Sequence, residues 1–171
     1  MEKIGFIGCG HLAKAIINGL SNFEKYNIDG HDRNEVNQNW LQTNGHQASS
    51  LKDVVINSDV VFICVKPKDV ISLCNDMKQH ISLNKKVVSV AAGIKYRQIK
   101  DCLEDAKIFR AMPNIGSKDN LGITSIFSRE ESSDIVELFK HLGEAFVVED
   151  ENNIDLHTSL IGSGPAFFLE I

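Results

Sequence analysis

Residues 8–13 read GCGHLA, a G-x-G-x-x-A pattern a few residues from Met1. Glycine at the first position permits a tight turn, glycine at the second lets a backbone approach a pyrophosphate, and Ala13 allows a helix to pack closely on a strand. A helix opening at His11 would turn its free N–H groups and positive dipole end toward phosphate oxygens. The chemistry on offer is therefore dinucleotide binding. His11 is explained by the helix start, as a polar residue at the mouth of the turn rather than a catalytic base.

A second pair, Asp32 and Arg33 in HDRN, stands where the base and ribose end of a dinucleotide would be read. A carboxylate there accepts hydrogen bonds from ribose hydroxyls and repels a 2′-phosphate, favouring NAD, whereas an arginine pairs with that phosphate or stacks on adenine, favouring NADP. The two residues point opposite ways, and the choice stays open at this level. Three further stretches, CVKPKD, VAAGI and RAMPNIG, each follow an apolar run. Small residues at Ala91, Ala92 and Gly93 let a flat ring or ribose lie against backbone, Pro67 and Pro113 stiffen their loops, and Asn114 has an amide to offer a nicotinamide carboxamide.

These residues need elements to hold them, and the hydrophobic period supplies the expectation. KIGFIG reads as a strand, with helical spacing at Leu12, Ala15, Ile16 and Leu20 after it; NIDGHD is a strand, and a polar helix through Trp40 and Leu41 stops at Asn44-Gly45. DVVFICV and KVVSVAAG are continuous apolar runs of the kind buried on both faces of a parallel sheet. Helices are expected over 70–81, 96–103 and 130–142, and strands at KIFRAM, GITSIF and AFVVED. Such repeated alternation argues for an α/β fold, a doubly wound, mainly parallel sheet. The glycine pattern and the three loops would then share the carboxyl edge of that sheet, where such folds bind ligands.

Composition narrows the classes. With 171 residues, 43% of them apolar, the chain can build one core but not a second domain of ordinary size. A formal net charge of −5, with no dense run of Lys and Arg, gives no polyanion-binding surface, so neither nucleic acid nor an anionic membrane is expected as partner. The opening EKIGFIGCG is neither a signal peptide nor a membrane span, which points to a cytoplasmic protein. Cys9, Cys64, Cys74 and Cys102 are scattered without C-x-x-C or nearby His, indicating neither zinc nor a redox dithiol but buried, reduced thiols.

GFIGCGHLAKAI, SDVVFICVKPKDV, VVSVAAGI, RAMPN, FKHLGEAFVVED and DLHTSLIGSGPAFF together resemble, in order and spacing over essentially the whole chain, the N-terminal part of pyrroline-5-carboxylate reductase. The resemblance implies a Rossmann-type domain over residues 1–150, a linker and the first helix of a helical dimerisation domain over 151–171, and reduction of 1-pyrroline-5-carboxylate to L-proline with NADP or NAD, NADP slightly ahead. It implies that Ile7, Gly8, Cys9, Gly10, His11 and Leu12 cradle the pyrophosphate; that Cys64, Val65, Lys66 and Pro67 line the adenosine and ribose side; and that Val90, Ala91 and Ala92 face the nicotinamide ribose. Asn114, Ser163 and Gly164 would lie near the nicotinamide and the imine substrate. No catalytic acid is implied within these residues, because the family's substrate-holding loop belongs to the helical domain. In that family GSGPA leads into the helices that form the homodimer, so a chain ending at Ile171 is expected to be inactive alone.

The sequence also departs from the family pattern. Ile115 and Gly116 stand where the family usually has Thr-Pro, Ile161 where it has Ser, and Ser50 or Leu51 where an Asn near the adenosine phosphate is common. Two other readings share the architecture: a prephenate or β-hydroxyacid dehydrogenase, and a non-catalytic NAD(P)-binding module.

Overall fold

The structure, a computed structural model, describes residues 1–157. Ser163, Gly164 and the expected helix from Pro165 lie outside the described residues. Eight strands form one sheet: β1 (Glu2–Ile7), β2 (Tyr26–His31), β3 (Gln47–Ala48), β4 (Val60–Ile63), β5 (Lys86–Ser89), β6 (Lys107–Met112), β7 (Gly122–Ser128) and β8 (Gly143–Val147). Their order is β3-β2-β1-β4-β5-β6-β7-β8, and every pairing is parallel except the antiparallel β6–β7. The helices are α1 (His11–Leu20), α2 (Glu35–Thr43), α3 (Leu51–Asn57), α4 (Val70–Lys78), α5 (Tyr96–Cys102), α6 (Ser133–Lys140) and α7 (Asn152–His157). The doubly wound, mainly parallel sheet is as the alternation predicts.

The central strands are apolar on both faces because helices cover both. On one face Phe6, Phe62, Val88 and Phe109 meet Ile16, Ile17 and Leu20 of α1 and Leu138 and Phe139 of α6. Phe6 stacks on Phe62 with centroids 4.8 Å apart, and Phe139 meets Phe62 edge-on at 5.8 Å. On the other face Val61, Ile63, Val87 and Ile108 meet Val54 and Val55 of α3, Val70 and Met77 of α4, Ile99 of α5 and Ile154 of α7. A continuous apolar run is what a strand between two helical layers requires.

Several boundaries differ from the sequence expectation for local reasons. The helix expected from residue 130 begins at Ser133, because the Ser128 hydroxyl accepts the Glu130 N–H (3.0 Å) and the Glu131 carboxylate accepts the Ser133 N–H (2.7 Å), holding a turn ahead of it. The helix expected to reach Ile81 ends at Lys78, although Ile81 still packs on the core. The two-residue β3 and seven-residue α3 were not expected at all. Between β6 and β7 the chain makes a 3-10 turn (Ile115–Asp119) closed by Asn120 at φ 58°, and this short return, with no crossover helix, leaves β7 antiparallel to β6.

Candidate dinucleotide site

Strand order reverses at β1, from which the chain winds outward to β2 and β3 on one side and, with β4, begins its path on the other. Doubly wound sheets bind ligands in the crevice beyond the carboxyl ends of the strands at that point. Ile7 pairs with His31 on one side and Ile63 on the other, so the loops after β1, β2 and β4 emerge together.

The two glycines of the loop after β1 are required for different reasons. Gly8 sits at φ +87°, and a Cβ there would lie 2.9 Å from the carbonyl carbon and oxygen of Cys64, so this glycine serves the internal packing of β1 on the loop after β4. Gly10 caps α1 at an ordinary φ of −74°, and a Cβ there would meet nothing within 4 Å. The protein's own packing therefore gives no reason for glycine at residue 10. What a side chain would fill is the space in front of the first turn of α1, whose N–H groups have no intrahelical acceptors. No side chain caps that turn, and it carries no acidic residue. Ala13, 1% exposed, packs in the core as the motif predicts.

Asp32, just past β2, braces the loop. Its Oδ2 accepts the Cys9 N–H at 2.7 Å and the Asn37 Nδ2 at 2.9 Å, and its Oδ1 accepts the Asn34 N–H at 2.8 Å. Gln38 Nε2 donates to the Asp32 carbonyl at 2.7 Å. The Cys9 thiol is fully buried, and burial, reinforced by the Asp32 charge, pushes its pKa up to about 12. Burial likewise raises Cys64. Neither thiol is a nucleophile at neutral pH.

A cleft lies between these elements, lined by Ile7, Gly8, His31, Asp32, Arg33, Leu51, Val65, Leu73, Asp69 and Asp76. It unites Ile7, Gly8, Asp32, Arg33 and Val65 of the sequence-predicted set. Gly10, His11 and Leu12 sit beside it at the start of α1, His11 exposed and Leu12 half-buried. Cys64 closes the loop from behind through its N–H to the Ile7 carbonyl (2.8 Å), while Lys66 and Pro67 are exposed, Pro67 opening a 3-10 turn to Asp69. Val90 and Ala91 are buried and Ala92 exposed just past β5, two strands from β1, and Asn114 follows β6, three strands away. At about 4.8 Å per strand these distances are roughly 10 and 14 Å. The predicted residues thus form a line along one sheet edge, not a single pocket. Asn114 Oδ1 accepts the Ile123 N–H at 3.2 Å, and among the described residues no hydrogen bond engages its amide N–H pair.

Sequence reasoning missed Asn37, Leu73 and Asp76, and marked Leu51 only as a place, with Ser50, where the family's Asn near the adenosine phosphate is replaced. Ser50-x-x-Asp53 is a helix-start signature that would have found α3 and with it Leu51: the Ser50 hydroxyl accepts the Asp53 N–H at 3.2 Å. Asp76 lies two turns beyond Asp69 and therefore on the same side of the chain's path, but no motif marks it.

A family model described as NADP oxidoreductase coenzyme F420-dependent matches residues 3–93. The pyrroline-5-carboxylate reductase of Escherichia coli (strain K12) is 32% identical over 185 residues, covering 97% of this chain and 65% of the relative. That of Methanosarcina acetivorans is 32% identical over 181 residues, covering 99% and 67%. Among solved structures, a pyrroline-5-carboxylate reductase from Coxiella burnetii aligns with a TM-score of 0.88 at 29% identity, over 97% of this chain and 66% of its own. A Plasmodium falciparum pyrroline carboxylate reductase with NADP bound has the same fold, with a TM-score of 0.85 at 22% identity over 98% of this chain and 65% of its own. The chain thus spans about 65% of the length of the Escherichia coli relative.

Proposed function

The chain belongs to the pyrroline-5-carboxylate reductase family, and we propose that it is the NAD(P)H-binding part of an enzyme that reduces 1-pyrroline-5-carboxylate to L-proline. The observation that carries this reading is Gly10, a glycine with open space where its side chain would be, at the N-terminus of α1 and at the switch point of the sheet. When bound, the reduced nicotinamide supplies the hydride that reduces the carbon of the cyclic C=N bond. The residues of this chain bind and orient. The turn at Gly8–Gly10 and the first N–H groups of α1 hold the pyrophosphate, with Ile7, Cys9, His11 and Leu12 forming the rest of that cradle. Asp32, Arg33, Cys64, Val65, Lys66 and Pro67 surround the adenosine side, and Val90, Ala91 and Ala92 the far ribose. Asn114 offers its amide N–H groups at the nicotinamide end, and the family resemblance assigns Ser163 and Gly164, outside the described residues, to the substrate.

We assign residues 1–150 to the dinucleotide domain. Residues 151–171 are the segment leading to a helical, dimer-forming unit, although α7 itself docks on the sheet. A homo-oligomer is the working form of the whole enzyme in this reading. A cytoplasmic setting suits four free thiols, two of them fully buried. Among the described residues no helix is long and apolar enough to cross a membrane.

Saturation with NADH or NADPH at about a hundred times the dissociation constant should stabilise the chain by about 2.7 kcal/mol. That is a rise of ~5–10 °C in melting temperature for a chain of this size. Gly10→Val should keep the unliganded melting temperature and abolish the rise. Oxidation of NAD(P)H driven by 1-pyrroline-5-carboxylate, with prephenate and β-hydroxyacids as controls, tests the substrate. Absence of any dinucleotide effect at millimolar concentration would sink the proposal.

A further inference from the structure

We infer that the adenosine cleft is built to select NAD over NADP, with Asp32 as the specificity-determining residue and Asp69 and Asp76 as its support. The inference rests on the dinucleotide reading above and goes past it, because the family description and the bound cofactor of the solved relative both name NADP.

A carboxylate offers about four acceptor positions, and three of those on Asp32 are taken by the Cys9 N–H, the Asn34 N–H and the Asn37 amide. The remaining capacity suits one ribose hydroxyl donor. It does not suit a 2′-phosphate, which carries about −1.5 to −2 charges at neutral pH and has only acceptor oxygens facing the site. Nor can Asp32 readily swing aside. Its three donors come from the glycine loop, the turn after β2 and helix α2, so moving the carboxylate releases the loop that cradles the pyrophosphate. A flexible acidic side chain would yield to a phosphate; this one is fixed.

The rest of the cleft reinforces the choice. Besides Asp32 its wall carries Asp69 and Asp76, against one cation, Arg33. His31, also in the lining, has its Nδ1–H committed to the Ser49 carbonyl at 3.0 Å. Leu51 and Leu73 supply apolar surface suited to a base and nothing that could hydrogen-bond a phosphate. Outside the lining, Lys14 is engaged by Asn37 Oδ1 at 2.8 Å and lies over the Trp40 ring at 5.0 Å, and Lys66 stands exposed in the loop after β4. Among the residues that line the cleft, exposed Arg33 is thus the one positive group against three carboxylates, too few for a doubly charged phosphate but well placed to stack on adenine.

The test measures dissociation constants of the chain for NADH, NADPH, ADP-ribose and ADP-ribose 2′-phosphate by calorimetric titration at low and moderate salt. NADH is expected to bind at least about tenfold tighter than NADPH. The ADP-ribose pair should show the same ratio, which assigns it to the adenosine end, and the ratio should shrink as salt screens the carboxylates. Asp32→Asn, which keeps the shape and removes the charge, should narrow the preference to about threefold or less. If that variant loses its cooperative melting transition, Asp69→Asn with Asp76→Asn, which leaves the loop brace in place, should narrow it instead. Equal affinities, or tighter binding of NADPH, would overturn this inference while leaving the proposed function standing. Failure of all four probes to bind would overturn both.

Discussion

Asp32 in the cleft and Arg110 at the other side of the sheet are both charged side chains near the carboxyl ends of parallel strands, and both are wired to several segments. They differ in what is left over. Arg110 is 1% exposed, and its guanidinium donates to Glu151 Oε1 at 2.8 Å and Asp155 Oδ1 at 3.2 Å. Around it Lys95 Nζ reaches Asp155 Oδ2 at 2.6 Å and Asn152 Oδ1 at 3.2 Å, and the Tyr96 N–H reaches Glu151 Oε1 at 2.5 Å. The result is a closed clasp that ties β6 and the start of α5 to α7. Asp32 is only half-buried, keeps an acceptor position free, and opens on a cleft. A charge enclosed by opposite charges fastens structure; a charge braced from behind and open in front is available to a ligand.

The sharpest way to break the comparison is at Arg110. Arg110→Ala leaves two carboxylates facing each other around a void and should cost about 3–5 kcal/mol of unfolding free energy, the usual penalty for removing one side of a buried ion pair. Urea denaturation would measure it. Arg110→Met combined with Glu151→Gln and Asp155→Asn removes the charges together and should recover most of the loss, because like-sized neutral groups need no counterion. If the single variant is as stable as the wild type, the clasp is not structural and the contrast with Asp32 fails.

The two loop glycines sharpen the same contrast at smaller scale. Gly8→Ala introduces a Cβ at φ +87° and against the Cys64 backbone at 2.9 Å, so about 2–3 kcal/mol of destabilisation is expected. Gly10→Ala meets nothing within 4 Å and should change stability by less than ~0.5 kcal/mol while weakening NADH binding. Stability and affinity measured on both variants separate the glycine that serves the fold from the one that serves the ligand.

Why some of this was legible in the sequence and some was not follows from how each part is held. β4 and β5 declare themselves because burial on both faces leaves Val, Ile and Phe in nearly continuous runs, β1 and β6 because apolar residues dominate them around Gly5 and Arg110, and GCGHLA declares the loop by its glycine spacing after a strand. Elements held by few contacts stay hidden: β3 is two residues long, and α3 has only Val54 and Val55 buried, so neither builds a period. In the site, loop residues after strands were readable from motif and position. Asn37 and Asp76 were not, since each reaches the cleft region from within a helix whose sequence reads as an ordinary polar surface. The Arg110 clasp was invisible for a related reason. RAMPN drew attention to Asn114, whereas the partners of Arg110 lie some 40 residues further along the chain.

The smallest effect is expected from pH, acting on the clasp and not on the cleft. Burial alone would raise the Asp155 carboxyl, but the hydrogen bonds and charges of Lys95 and Arg110 outweigh it and hold the group below its ordinary value. A carboxyl with a depressed folded-state pKa contributes its stabilisation in full above the unfolded value, near 3.9, and loses it as pH falls through the folded value. The contribution should therefore be constant from neutrality to about pH 5 and fade below about pH 4. With the Asp155 side chain 38% exposed and that of Lys95 39%, solvent screens the pair, and well under ~1 kcal/mol is at stake. Asp155→Asn should be slightly less stable than the wild type at pH 6, and the gap should close by pH 3, with the change in hydrogen exchange concentrated in α7. Glu151, also bound to Arg110, keeps the helix partly tethered in the variant, so its loss of protection should be graded. A gap that widens on acidification would mean that Asp155 is held in its neutral form, and the clasp would then need a different description.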